Sequence, residues 1–168
     1  ELIKFPETVS EDALLDRLHK LNIDHSVTGY LVQLPLPKHI SEERVNSVIY
    51  PWKDIDGFNV LSKTVPATPL GVYTYLKDMN YEFSGKNAVI IGRSNIVGKP
   101  MALLMLRENA TVTVAHSKTQ NLKEICKQAD ILIVAIGKPK FIDASYVKEG
   151  AVVIDVGIHR NEDNKLCG

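Results

Sequence analysis

From residue 87 onward, short apolar runs recur between stretches of helical pattern, and this rhythm constrains the fold more than any other feature of the chain. The runs are Asn87-Ala88-Val89-Ile90-Ile91, Thr111-Val112-Thr113-Val114, Ile131-Leu132-Ile133-Val134-Ala135 and Ala151-Val152-Val153-Ile154-Asp155. Each is too short for a buried helix and rich in β-branched residues, so each reads as a strand. Helical patterns cover Met101 to Leu106 and Leu122 to Ala129. Near-continuous apolar strands alternating with helices predict a parallel sheet covered on both faces. Right-handed crossovers then give an α/β, doubly wound, Rossmann-like domain.

The chain before this domain has a different texture. Ser10 can cap a helix whose Leu14, Leu15, Leu18 and Leu21 share one face. Gly29 to Leu34 has strand character, and Pro35-Leu36-Pro37 ends it because proline cannot donate to a ladder. Ser41 can cap a second helix with Val45, Val48 and Ile49 inward, and Asp54-Ile55-Asp56-Gly57 reads as a turn. Thr68 and Pro69 suit the N-cap and first position of a third helix. A boundary near residue 80, in Asp78-Met79-Asn80, divides the chain into 1–80, part of a second α/β domain, and 81–168, the Rossmann-like cofactor domain.

Composition excludes several classes. Apolar residues make up 45% of the 168, enough for a packed core. Lys plus Arg and Asp plus Glu each number 20, so no net charge attracts nucleic acid or an acidic membrane. No apolar run approaches the roughly 18 residues of a membrane span. Glu1-Leu2-Ile3-Lys4 has no signal-peptide pattern. Only Cys126 and Cys167 are present, which excludes a disulfide scaffold and implies a reducing compartment, cytoplasm or an organelle matrix. His19, His25, His39, His116 and His159 are scattered without metal-ligand spacing, so no metal site is expected.

The turn after the first strand of the second domain is Gly92-Arg93-Ser94-Asn95-Ile96-Val97-Gly98. Ligands of doubly wound sheets bind at the carboxyl ends of strands, where a helix N-terminus offers N–H groups to phosphate. Ser94 stands where a G-x-G-x-x-G loop has its second glycine, so a pyrophosphate is expected in a shifted pose. After the second strand, Ala115-His116-Ser117-Lys118-Thr119 lacks the carboxylate that would hold a ribose 2′-hydroxyl. A hydroxyl, an imidazole and an ammonium stand there instead, with Arg93 in the neighbouring turn, which suits the 2′-phosphate of NADP. Gly137 and Gly157 close the next two strands and would let backbone approach a ligand, or merely make turns.

Together these segments resemble the methylenetetrahydrofolate dehydrogenase/methenyltetrahydrofolate cyclohydrolase family. The residues that carry the resemblance are Leu31-Val32-Gln33-Leu34-Pro35-Leu36-Pro37, Lys53-Asp54-Ile55-Asp56-Gly57-Phe58, Pro66-Ala67-Thr68-Pro69, Gly92 through Pro100, Ala110-Thr111-Val112-Thr113, His116-Ser117-Lys118-Thr119 and Val153 through Ile158. The resemblance implies NADP-dependent oxidation of 5,10-methylenetetrahydrofolate and hydrolysis of the product to 10-formyltetrahydrofolate, in one-carbon metabolism and purine biosynthesis. It implies catalytic roles for Gln33 and Asp56, in a folate site with Val32 and Leu34. Gln33 would support the cyclohydrolase step and Asp56 would bind the pterin. It implies that Arg93 and Ser117 hold the 2′-phosphate, with Gly92, Ser94, His116, Gly137 and Ile158 in the cofactor site. Tetrahydrofolate derivatives and a second copy of the chain, in a homodimer through the cofactor domain, are the implied partners; no nucleic acid or membrane is expected.

The match is not complete. The family's Tyr-x-x-x-Lys motif, whose Lys serves the cyclohydrolase step, has no counterpart. Tyr73 and Lys77 have its spacing but lie in the helix after Thr68-Pro69, where packing and solvation are their expected roles. The family's Pro- and Gly-rich C-terminal segment has no counterpart either, and the stretch from Phe58 to Pro66 is short. Segments belonging to a longer protein would account for all three. The alternative is a catalytically incomplete nucleotide-binding module of the same fold. An S-adenosylmethionine enzyme would need an acidic residue after the second strand, and none is there.

Overall fold

The computed structural model describes residues 1–167 and divides them into two compact units, Glu1–Val65 and Pro66 onward. In the first unit, α1 (Glu11–Ile23) and α2 (Glu42–Val48) are capped as their sequences predict: Ser10 Oγ accepts from Ala13 N and Ser41 Oγ from Arg44 N. Leu14, Leu15, Leu18, Ile40, Val45 and Ile49 form the core. Along 31–36 exposure alternates, with Val32 and Leu36 packed on that core and Leu31, Gln33 and Pro35 outward. The strand expected over Gly29–Leu34 reduces to one parallel bridge, Tyr30 to Asp54. Alternation alone does not make a strand; a ladder needs a partner of matching length, and here the partner turns away at Asp56-Gly57.

The second unit opens with α3 (Ala67–Asp78). Its N-cap is Pro66, not Thr68, and Pro69 lies within the first turn, where its missing N–H has no helical partner to lose. The sheet strands are β1 (Asn87–Ile91), β2 (Thr111–Ala115), β3 (Ile131–Val134) and β4 (Val152–Asp155), all parallel, in the order β2-β1-β3-β4. Two helices, α4 (Gly98–Arg107) and α5 (Leu122–Cys126), intervene, followed by a 3₁₀ turn at Ala144–Tyr146. The helix predicted to Ala129 stops at Cys126, where Gln128 and Ala129 tighten to i−3 bonds. A hairpin of β5 (His159–Arg160) and β6 (Leu166–Cys167) follows. The central strands β1 and β3 are buried almost throughout, whereas the edge strands β2 and β4 are half-exposed.

The units part at Val65, whereas the sequence pattern puts a boundary near 80. The difference is α3. Tyr73 Oη donates to Glu108 Oε1 at 2.6 Å and Lys77 Nζ to Glu108 Oε2 at 2.8 Å, fastening α3 to the C-cap of α4. Tyr73 also stacks on buried Phe83. These two hydrogen bonds hold the Glu108 carboxyl below its usual range, the Lys77 bond foremost. Its contribution is therefore present above the ordinary carboxylate range and lost as pH falls through it. Glu108→Gln is expected to flatten the acid limb of the unfolding curve between about pH 5 and 3, read by thermal melts.

Candidate functional site

Because the strands are parallel, the loops after them leave from one edge, and every cofactor candidate lies there. Gly92, Arg93 and Ser94 follow β1, His116 and Ser117 follow β2, Gly137 follows β3 and Ile158 follows β4. The strand order reverses between β1 and β3, the place where such sheets open a crevice. The loop ends are tied: Gly92 N donates to Ala115 O and Ala135 N to Ile91 O, both at 2.8 Å.

The N-terminus of α4 differs from the expectation of free N–H groups for phosphate. Ser94 Oγ accepts from Val97 N at 3.1 Å and Gly98 N at 3.4 Å, and Ser94 O accepts from Lys99 N at 3.0 Å. Pro100 has no N–H, and Met101 N donates to Val97 O. The first turn is thus satisfied by the chain itself, with Ser94 as the acceptor from its place three residues before the N-cap Val97. A pyrophosphate that met this loop would have to displace Ser94 or sit aside from the helix axis.

Past β2, the loop closes on itself. His116 N donates to Thr119 Oγ1 at 2.8 Å, Thr119 N to His116 O at 2.9 Å, and Lys118 N to His116 Nδ1 at 3.2 Å. The imidazole is partly spent on its own turn, with only Nε2 left to a ligand. Arg93, Ser117 and Lys118 are exposed, and among the described residues their side chains make no hydrogen bond or ion pair. Gly137 and Gly157 serve each other's strands more than a ligand. A Cβ on Gly137 would lie 2.6 Å from Ile158 O, and one on Gly157 would overlap Ile136 O. The exposed Ile158 side chain stands beside this crossing.

In the first unit the parallel bridge sets Val32 and Asp56 each two residues past Tyr30 and Asp54. Val32 packs on the core, so its backbone is what it offers a ligand. Leu34 is half-buried, and exposed Gln33 donates from Nε2 to Leu34 O at 3.1 Å, the loop-carbonyl role its position permits. Asp56 differs. Among the described residues its carboxylate accepts no hydrogen bond, and burial, then the charge of Asp54, push its carboxyl above the usual value.

The turn role that Asp56 might have filled belongs to Asp54, which the sequence pattern did not single out. Asp54 is 3% exposed; Oδ1 accepts from Gly57 N at 2.9 Å and Oδ2 from Asn59 N at 2.8 Å. Lys53, 7% exposed, spends its ammonium on the carbonyls of Leu21 at 2.8 Å and Asp24 at 2.5 Å, at the end of α1. Asn22 accepts from Tyr30 Oη and Tyr50 N and donates to Val48 O. Burial foremost, with the charges of Asp54 and Tyr50, pushes the Tyr30 hydroxyl up to about 12, so it stays a donor. The D-x-D-G spacing signals such a turn, but spacing alone does not say which carboxylate closes it. No cluster able to hold a metal occurs among the described residues.

A reversed-order parallel sheet with an unpaired guanidinium and hydroxyl past adjacent strands defines a Rossmann-type nucleotide-binding unit, here following a helical unit that presents an unengaged carboxylate. The chain belongs to the tetrahydrofolate dehydrogenase/cyclohydrolase family: residues 1–56 match the model of its catalytic domain and residues 66–168 that of its NAD(P)-binding domain. The unmatched residues between them include most of the stretch that is short against the family pattern. Bifunctional protein FolD of Agathobacter rectalis is 63% identical over 96% of the chain and 61% of its own length. The bifunctional FolD structure from Campylobacter jejuni superposes with a TM-score of 0.86 at 44% identity, over 96% of this chain and 61% of that one. The Trypanosoma brucei dehydrogenase-cyclohydrolase, complexed with NADP cofactor and inhibitor, gives 0.81 at 34% identity over 95% and 59%. The chain spans about three-fifths of the length of these relatives.

Proposed function

We propose that this chain is the folate- and cofactor-binding portion of an enzyme that oxidises 5,10-methylenetetrahydrofolate with NADP and hydrolyses the methenyl product to 10-formyltetrahydrofolate. The observation that carries this reading is the pairing of an unengaged Asp56 carboxylate with unpaired Arg93 and Ser117 side chains, in a chain that matches both family models. That pairing opposes a nucleotide-binding module without folate chemistry.

The residues present fit NADP. Arg93 lies two residues past the end of β1 and Ser117 two past that of β2, the strands being adjacent and in register. A planar guanidinium and a hydroxyl donor answer a phosphate's need for charge and donors. Bound NADP supplies the hydride acceptor. The chain's share of that step is to hold the reactants: within the second unit Ile158 and the Gly137–Ile158 crossing back the cofactor, and within the first unit Asp56 accepts from the amino group and ring N–H of the pterin. In hydrolysis a water oriented by Gln33 attacks the methenyl carbon and loses a proton to solvent; the carbon–N5 bond then breaks as the hydroxyl proton passes to N5, leaving the formyl group on N10. Assembly as a homodimer in the cytoplasm, in service of purine biosynthesis, belongs to the same reading; no helix among the described residues is long and apolar enough to cross a membrane.

An assay with 5,10-methylenetetrahydrofolate tests the reading: oxidation with NADP in preference to NAD supports it, and no turnover with NADP bound refutes it. Ser117→Asp is expected to weaken NADP binding about tenfold or more while NAD changes little, through repulsion of the 2′-phosphate. Unchanged NADP preference would remove Ser117 from the site.

A further inference from the structure

We infer that Asp54 is a positioning residue for Asp56, a buried clamp that sets the carboxylate's place and leaves it unspent. This rests on the proposed role of Asp56 in folate binding. Asp54 brackets Asp56 from both sides. Before it, Tyr30 pairs with Asp54 in the parallel bridge and Tyr30 N donates to Lys53 O at 2.9 Å. After it, the two oxygens of Asp54 take Gly57 N and Asn59 N. Asn59 carries the clamp onward, donating from Nδ2 to Ile49 O at 2.8 Å and accepting at Oδ1 from Leu61 N at 2.9 Å. The polar side chains of Lys53, Asp54 and Asn59 around the turn are thus all hydrogen-bonded, whereas among the described residues the carboxylate of Asp56 accepts no bond.

Two carboxylates two residues apart would ordinarily compete for the same N–H groups. Here burial decides the competition. Asp54 is the more deeply enclosed and takes both donors, because a buried carboxylate without partners is the costlier arrangement. The half-buried Asp56 can await a ligand in partial contact with water. Asp54 is also the charged group that acts on Asp56; the ammonium of Lys53 is turned to the end of α1.

The test is a double-mutant cycle on tetrahydrofolate affinity with D54N, D56N and the double variant, with NADP affinity as the control for folding. D54N supplies one acceptor where two N–H groups need one each. It is expected to weaken tetrahydrofolate about tenfold. It should also move the pH midpoint of binding downward, since a negative neighbour is removed. In the D56N background, D54N should add almost nothing. Additive losses, or an unmoved midpoint, would make Asp54 a structural residue only and overturn the inference. A D56N variant with unimpaired tetrahydrofolate binding would instead refute the role of Asp56 itself. If D54N does not fold, N59A loosens the clamp at its far end: a severalfold loss of tetrahydrofolate affinity with NADP unchanged supports the inference, and full affinity overturns it.

Discussion

Asp56→Ala is expected to lower tetrahydrofolate affinity about 100-fold while making the protein harder to unfold at neutral pH. The first effect follows from charge-assisted hydrogen bonding. A carboxylate accepting from the adjacent amino and N–H groups of a pterin makes bonds worth about 1.5–3 kcal/mol each, and about 3 kcal/mol is two orders of magnitude in Kd. The second follows from the raised carboxyl of Asp56, which burial and the neighbouring Asp54 push up. A group whose native pKa exceeds its unfolded value holds its proton better in the folded state. Its ionisation thus costs stability as pH rises through the carboxylate range. Removing it should raise the melting temperature at pH 7, and the gain should vanish near pH 3, where Asp56 is protonated whether folded or not. NADP affinity should stay the same. Equal loss of both ligands, or a variant less stable than the parent at pH 7, would mark Asp56 as a structural turn residue.

The raised carboxyl of Asp56 could not be read from the sequence, although most of the fold could. Strands β1 and β3 are legible because nearly every residue is apolar, a pattern that suits a strand covered on both faces. The caps Ser10 and Ser41 are legible because capping is local chemistry between neighbours in the chain. The strand at 29–34 misleads because alternation reports which side chains face inward, not whether a partner strand exists. Thr68 misleads as a cap because Pro66, two residues earlier, already has the extended backbone that starts a helix. The boundary near 80 misleads because Glu108 is far in sequence from both Tyr73 and Lys77, so nothing local ties α3 to α4.

In the candidate site the residue types are legible and their division of labour is not. Asp54 and Asp56 are alike in sequence; only burial and the positions of Gly57 N and Asn59 N assign the clamp to one and leave the other unengaged. Gly137 and Gly157 are legible as close approaches, but what approaches is the chain itself. Each of these depends on which backbone segments cross, which is set by the whole sheet.

Gly98→Ala, at the first residue of α4, is expected to destabilise the second unit strongly. A Cβ at Gly98 would overlap the Gly92 carbonyl oxygen and lie 2.6 Å from Gly92 C and 2.8 Å from Arg93 Cα. These are backbone atoms, and the strand that carries them is fixed. Gly92 has φ 120°, and its own Cβ position lies 2.5 Å from Ala135 O at the end of β3. The turn cannot retreat toward β3 to make room, so α4 must tilt away. Such overpacking costs about 3 kcal/mol, equivalent to a fall of roughly 6–12 °C in the unfolding midpoint. Tilting α4 would also pull Val97 N and Gly98 N off Ser94 and release the turn that presents Arg93, so NADP affinity should fall at least about tenfold. Calorimetry and a cofactor titration read the two effects, and a variant that melts with the parent would show that the crossing of Gly92 and Gly98 is looser than the backbone contacts imply. Ser94→Gly is the informative contrast. It removes the hydroxyl that accepts from Val97 N and Gly98 N but restores the glycine at which a pyrophosphate ordinarily approaches, so it should cost only about 0.3 kcal/mol of stability. The G-R-S-N-I-V-G loop keeps the glycine that close packing demands and replaces the one that ligand approach would otherwise favour.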